Sequence, residues 1–303
     1  MKNKDKRYKY VAQNAATLAA LFVIAVWGET FVSSKVILNE GLLPDEIFLI
    51  RFLLAYLGMS ALSHKKLWAN SFADELKLMA LGVLGGSLYF LSENMALMYS
   101  TASNVAILVG STPLITAILL SIFHKEERMR GRQIVGSIIA FVGMALVIFN
   151  GHFVLHLNPR GDLLALGAAL TWGFYSLVMK RLSSRYEASF ITRKVFAYGV
   201  LSILPYIMLG KHDVPQLLAI LQSPKVWINL LYLGLVASML CYFAWNWVLS
   251  RLGIVRATNI LYLQSFFTMI VSHIVLNDNI TIMAIGGSIV LIGGMILAIR
   301  QKN

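Results

Sequence analysis

Several stretches of this chain run for more than twenty residues without one charged side chain, Val226 to Ser250 and Ala257 to Asn277 among them. A helix rises about 1.5 Å per residue, so about 20 apolar residues cross the roughly 30 Å hydrocarbon core of a bilayer. Apolar runs of similar length recur along the whole chain. Of its 303 residues 58% are hydrophobic and only 13% charged, whereas a soluble domain carries roughly a quarter charged residues. A soluble fold could not bury that much apolar surface, so the bilayer is the solvent that fits.

Ten segments are long enough to span, at residues 14–35, 45–63, 76–98, 102–123, 132–150, 161–180, 191–210, 227–249, 255–276 and 281–299. The interval Asn94 to His124 is uncharged over about 31 residues, too long for one helix, and Ser100-Thr101-Ala102-Ser103 marks where it divides. Lysine and arginine placement sets the orientation. With the N-terminus inside, cytoplasmic segments hold Lys2, Lys4, Lys6, Arg7 and Lys9, then Lys65, Lys66 and Lys77. They continue with Lys125, Arg128, Arg130 and Arg132, then Lys180, Arg181, Arg185, Arg193 and Lys194, and close with Arg251, Arg256, Arg300 and Lys302. Only Arg160, Lys211 and Lys225 fall in outer loops, with Lys35 and Arg51 near the outer ends of spans. Both termini are therefore expected in the cytoplasm, which requires an even number of spans. The basic Met1–Tyr10 segment reads as the flank of a first span, because no small-residue cleavage site follows it.

Other classes fall away. The net charge of +12 lies in short clusters between apolar runs, with no basic arm or aromatic-interleaved patch for nucleic acid. The single cysteine, Cys241, excludes an intrachain disulfide framework and a multi-cysteine metal site. His124, His152, His156 and His212 sit in loops or at span ends, without a pair at H-E-x-x-H spacing. No phosphate-binding loop or nucleophile elbow appears, so no cofactor and no resident metal is expected.

The two halves resemble each other. Trp27-Gly28 in the first span matches Trp172-Gly173 in the sixth, and Asn94 and Thr116 match Asn246 and Thr268, both displaced by 152 residues. Gly136-Ser137 and Gly143-Met144 match Gly287-Ser288 and Gly294-Met295, displaced by 151. Five spans per half is an odd number, so the second copy inserts upside down, with a site near mid-membrane between the halves. The expected fold is all-α and integral to the membrane: ten transmembrane helices in two inverted five-helix repeats, residues 14–150 and 161–300.

Against that background the chain resembles the drug/metabolite transporter superfamily, specifically its ten-span exporters with two EamA domains. The resemblance rests on Trp27-Gly28 with Phe31 and Lys35, Arg51-Phe52, Thr101-Ala102-Ser103-Asn104 and Ser111-Thr112-Pro113-Leu114. In the second half it rests on Arg251-Leu252-Gly253, Arg256-Ala257-Thr258-Asn259 and Leu261-Tyr262-Leu263-Gln264. It implies a secondary carrier with a cavity lined by the first, third, fourth, sixth, eighth and ninth spans, and with the fifth and tenth at the periphery as a homodimer contact. Five sites depart from the family pattern: Ser265 stands where proline is frequent, Lys125-Glu126 and Asn277-Asp278 replace Gly-Glu, and Glu29 and Glu93 replace small or neutral residues.

Glu29 and Glu93 are the sharpest chemical signals, because a carboxylate at mid-span costs several kcal/mol unless it faces a cavity or a partner. Either could carry a proton or bind a substrate amine, or could simply pair with a neighbour such as Lys35 or Arg51. Tyr89 shares the face of Glu93, four residues earlier. Trp27 and Trp172 lie deep in paired spans and could face an organic cation or serve as packing; Tyr175 is one turn beyond Trp172. Asn94, Asn246 and Gln264 are intramembrane amides that need partners, and Tyr242 shares a face with Asn246. Trp68 and Trp227 read as interfacial anchors. The function expected is export of amino acids or related small metabolites by alternating access, driven by protons, from the cell inner membrane. The alternatives are an uncoupled carrier and a membrane-embedded lipid-modifying enzyme.

Overall fold

In the computed structural model the described residues are 2–63, 66–123, 129, 131–150, 158–210, 212–276 and 279–299, and among them there is no strand. Lys65, His124, Lys125, Glu126, Arg128, Arg130, His152, His156, Lys211, Asn277, Asp278, Arg300 and Lys302 lie outside the described residues, as do the side chains of residues 2–11, Ala102 and Ser103. The described residues form a bundle of long helices, several of them interrupted, labelled α1 to α10 in chain order. α1 comprises Lys2–Gly28 and Thr30–Asn39, α2 is Pro44–Leu62, and α3 runs from Phe72 to Tyr99. α4 comprises Ala102–Val109 and Thr112–Phe123, α5 is Gly131–Phe149, α6 is Pro159–Ser183 and α7 is Ala188–Leu209. α8 runs from Pro224 to Leu252, α9 comprises Ile254–Ile260 and Leu263–Leu276, and α10 is Ile282–Ile299. A short surface helix, Val214–Ile220, precedes α8.

Among the described residues nine helices are long and apolar enough to cross a membrane, all of these except α2. α2 carries Asp45, Glu46 and Arg51 within its 19 residues. Pro44 opens it, and the Glu46 carboxylate reaches back to Leu43 N at 2.9 Å, a start signal that fixes its first turn. The division between α3 and α4 follows the polar run: Ser100 is extended and the Thr101 hydroxyl accepts from Asn104 N at 3.2 Å. Asn158 caps α6 ahead of Pro159 in the same way.

Several helices are interrupted inside apolar stretches. α1 breaks at Glu29, α4 at Gly110-Ser111 and α9 at Leu261-Tyr262. α3 and α8 each contain a wide turn, Val83–Ser87 and Tyr232–Leu240, which releases backbone carbonyls. Such bulges concentrate at functional sites. α9 breaks without the proline that Pro113 supplies in α4; the Ser265 hydroxyl instead donates back to Tyr262 O at 3.1 Å.

α5 and α10 pack backbone against backbone. A Cβ on Gly143 would stand 2.3 Å from Leu291 N, and one on Gly294 would stand 2.3 Å from Ala140 N. Lipid offers no hydrophobic drive between helices, so this backbone approach through small residues is what holds them. At the start of α3, Asp74 accepts from Lys77 at 2.8 Å and pairs with Arg185 at 3.1 Å. Glu75 binds Lys194 and Tyr198, and Arg193 donates to Ser63 O and Lys66 O. These contacts tie α3 and the α2–α3 connection to the α6–α7 corner and close that end of the bundle. At the other end His212 sits 3.2 Å from both Asp45 and Glu46.

Candidate functional site

The interruptions converge on one cavity of about 270 Å³. Gln264 donates to Trp27 O at 3.0 Å and Thr268 to Gly28 O at 2.9 Å, so α9 takes up the carbonyls that the α1 break sets free. Gly28 permits this approach, since a Cβ there would lie 2.7 Å from Thr268 Oγ1. The wide turn of α8 offers Ala237 O to Trp27 Nε1 at 2.8 Å and Ser238 Oγ to Arg51 Nε at 2.6 Å. The wide turn of α3 offers Gly85 O to the Tyr242 hydroxyl.

Of the ten residues singled out from sequence, Trp27, Tyr89, Glu93, Trp172, Tyr242 and Gln264 line this cavity. Trp27 meets Trp172 edge-on at 5.5 Å and Tyr242 at 5.9 Å, and Tyr89 lies 5.0 Å from Trp172, forming an aromatic floor. The Tyr89 hydroxyl donates to Glu93 Oε1 at 2.8 Å, which fixes the carboxylate in the wall. From the floor the cavity reaches Asn150, Asn279 and Ile280, at the end opposite the Asp74–Arg185 cluster. Asn150, in the left-handed region at φ 43°, donates to Asn279 O and accepts from Thr281 N, joining the end of α5 to the start of α10. All six helices that the family resemblance implies contribute to the wall, and α2 and α5 add to them through Arg51 and through Met144, Val147 and Ile148.

The other four lie off this wall. Glu29 stands half-buried at the α1 break, its Oε1 without a hydrogen-bond partner. Asn94 is buried and reaches Pro44 O at 3.4 Å, tying α3 to α2. Tyr175 stacks on Trp172 and donates to Asn246 Oδ1 at 2.5 Å, while Asn246 Nδ2 donates to Thr192 Oγ1 at 2.8 Å. Asn246 also borders a second cavity, of about 470 Å³, beside Arg251 and Glu187. Joined to both α6 and α7, it is a bundle tie. Asn246→Leu is accordingly expected to lower unfolding stability in detergent by roughly 1–3 kcal/mol, by orphaning the buried Tyr175 hydroxyl and removing the donor to Thr192 Oγ1, while the substrate concentration at half-maximal transport stays unchanged. A selective rise in that concentration, with stability intact, would instead give Asn246 a direct hold on substrate.

Sequence reasoning placed Arg51 near a span end. It lies two turns into α2, 2% exposed and part of the cavity wall. Its guanidinium sits over the Phe90 ring at 4.2 Å. The signal was there to read: an arginine at the helix centre costs about 2.5–3.5 kcal/mol on insertion scales, so one inside an apolar stretch marks a built environment.

A helical bundle long and apolar enough for the bilayer, with interrupted helices around a polar-edged cavity, is the architecture of a membrane solute carrier. The chain belongs to the EamA-like transporter family, whose sequence pattern matches residues 14–149 and 159–300. An "Uncharacterized transporter" of Archaeoglobus fulgidus is 26% identical over 94% of this chain and 98% of its own. A Salmonella typhimurium protein named "Probable amino-acid metabolite efflux pump" is 25% identical over 91% of this chain and 92% of its own. A Streptantibioticus cattleyicolor protein named "Probable terminal-alkyne amino-acid exporter" is 24% identical over 94% of both. A solved crystal structure superposes with a TM-score of 0.71 over 94% of this chain and 97% of that one, at 17% identity, a likeness of fold alone. The protein is thus a multi-pass membrane transporter that moves small molecules.

Proposed function

We propose that the protein is a secondary active exporter of amino acids or related small metabolites, coupled to protons and working by alternating access across the cell inner membrane. The observation that carries this is Glu93, a carboxylate in the wall of an amino-acid-sized cavity and in reach of its contents. One carboxyl that takes either a proton or a substrate cation, but not both, links the two flows. The names of the Salmonella and Streptantibioticus relatives support the substrate class.

In this reading α2 is the tenth span, the halves α1–α5 and α6–α10 insert in opposite senses, and both termini are cytoplasmic. The wide turns support the inverted relation, because Val83–Ser87 displaced by 152 residues falls within Tyr232–Leu240. The end closed by Asp74, Glu75, Arg185 and Lys194 is then the cytoplasmic one, and the cavity opens outward. Turning inward requires those ion pairs to part. A homodimer forms through the outer faces of α5 and α10, whose exposed Ile138, Val142, Ile285 and Ile289 are apolar.

The test is transport of labelled amino acids in proteoliposomes with and without an imposed pH gradient. Acceleration by the gradient is expected. Movement at an equal rate without it would point to the uncoupled carrier, and no movement of any amino acid would overturn the assignment of substrate class.

A further inference from the structure

We propose that Arg51 binds the carboxylate of a zwitterionic amino acid whose ammonium group rests on Glu93. The proposal depends on the exporter reading above and adds to it the residue that selects the substrate. Arg51 and Glu93 carry opposite charges and line the same cavity, yet among the described residues no carboxylate comes within 4.0 Å of the Arg51 guanidinium. Each is anchored instead by neutral neighbours. Arg51 Nε donates to Ser238 Oγ and the guanidinium plane rests on Phe90, while Tyr89 holds Glu93. Among the described residues Arg51 Nη1 has no hydrogen-bond partner.

Two opposite charges in a low-dielectric interior attract strongly, and a purely structural pair would close to contact. These two are held apart. A guanidinium has five N–H donors in a planar fork that matches a carboxylate, and among the described residues Ser238 is the one hydrogen-bonded acceptor it has. A zwitterion satisfies both charges together; a simple amine satisfies only Glu93 and a simple acid only Arg51. The cavity, at about 270 Å³, lies just below the roughly 300–1,000 Å³ typical of drug-sized ligands. That suits an amino acid, whose side chain would meet Trp27 and Trp172.

The experiment reconstitutes the full-length protein in proteoliposomes and screens the twenty labelled L-α-amino acids for transport. The fastest is then competed by three analogues of itself: its carboxamide, its N-acetyl derivative and the corresponding primary amine. Each analogue is expected to compete about thirtyfold less well than the parent, because each leaves one buried charge unpartnered. Arg51→Gln should erase the distinction between parent and carboxamide, and Arg51→Lys should restore part of it. If transport is robust but the carboxamide competes as well as the parent, the assignment of Arg51 fails while the exporter reading stands. If none of the twenty amino acids moves, both fail. The competition uses the wild-type protein, so poor folding of an Arg51 variant does not shield the proposal.

Discussion

Replacing Glu93 with glutamine is expected to abolish the acceleration of transport by a pH gradient. The same change should raise the substrate concentration at half-maximal rate about thirtyfold, the typical loss for a buried charged partner. The amide keeps the size of the side chain and still accepts from the Tyr89 hydroxyl, now 2.8 Å from Oε1, so the wall keeps its shape. What disappears is the capacity to exchange a proton and to hold a cation. Glu29→Gln should behave differently, since Glu29 stands off the cavity wall at the α1 break. Transport in matched vesicles with and without a gradient checks both variants, and equal gradient dependence in wild type and Glu93→Gln would remove Glu93 from the coupling mechanism.

Leucine in place of Gly143 is expected to leave little folded protein in the membrane. A Cβ at that position meets the backbone of Leu291 at 2.3 Å, and backbone cannot step aside as a flexible side chain could. α5 and α10 would have to separate along their length, losing the contacts of Gly136 with Ala298 and of Gly287 with Val147 as well. Overpacking a well-filled site commonly costs about 1–3 kcal/mol, and here four interleaved glycines share the strain. Fluorescence-detected gel filtration in detergent measures the outcome. Gly293→Leu is the control, because a Cβ there meets nothing within 4 Å. A monodisperse Gly143→Leu with unchanged thermal stability would mean that the α5–α10 contact is not what holds this side of the bundle.

Much of the architecture is legible in the sequence. Uncharged runs announced helices, Ser100 and Thr101 announced the α3–α4 division, and the matching glycines of α5 and α10 announced the repeat, though not that the two helices pack on each other. The interior was harder to read. The breaks at Glu29, Gly110 and Leu261 fall inside apolar stretches, and what stabilises them is distant in sequence, as Gln264 and Thr268 are from Trp27 and Gly28. Helical spacing could not tell that Glu93 faces the cavity while Glu29 does not, because α1 changes course at Glu29 itself. Asn94 and Asn246 occupy matching positions in the repeat, yet both are spent on tying helices together. Arg51 was visible as a residue but not as a wall of the site, since position within a segment says little about depth when the helix begins with a proline cap and two carboxylates.

The chain's single cysteine, Cys241, is fully buried, so a Cys241→Ala background carrying Val109→Cys sets one thiol in the cavity wall. In that protein, a membrane-impermeant methanethiosulfonate is expected to block transport, and a transported amino acid present during labelling is expected to slow the block. Unimpaired transport after complete labelling, or labelling indifferent to substrate, would mean that solute does not pass through this cavity.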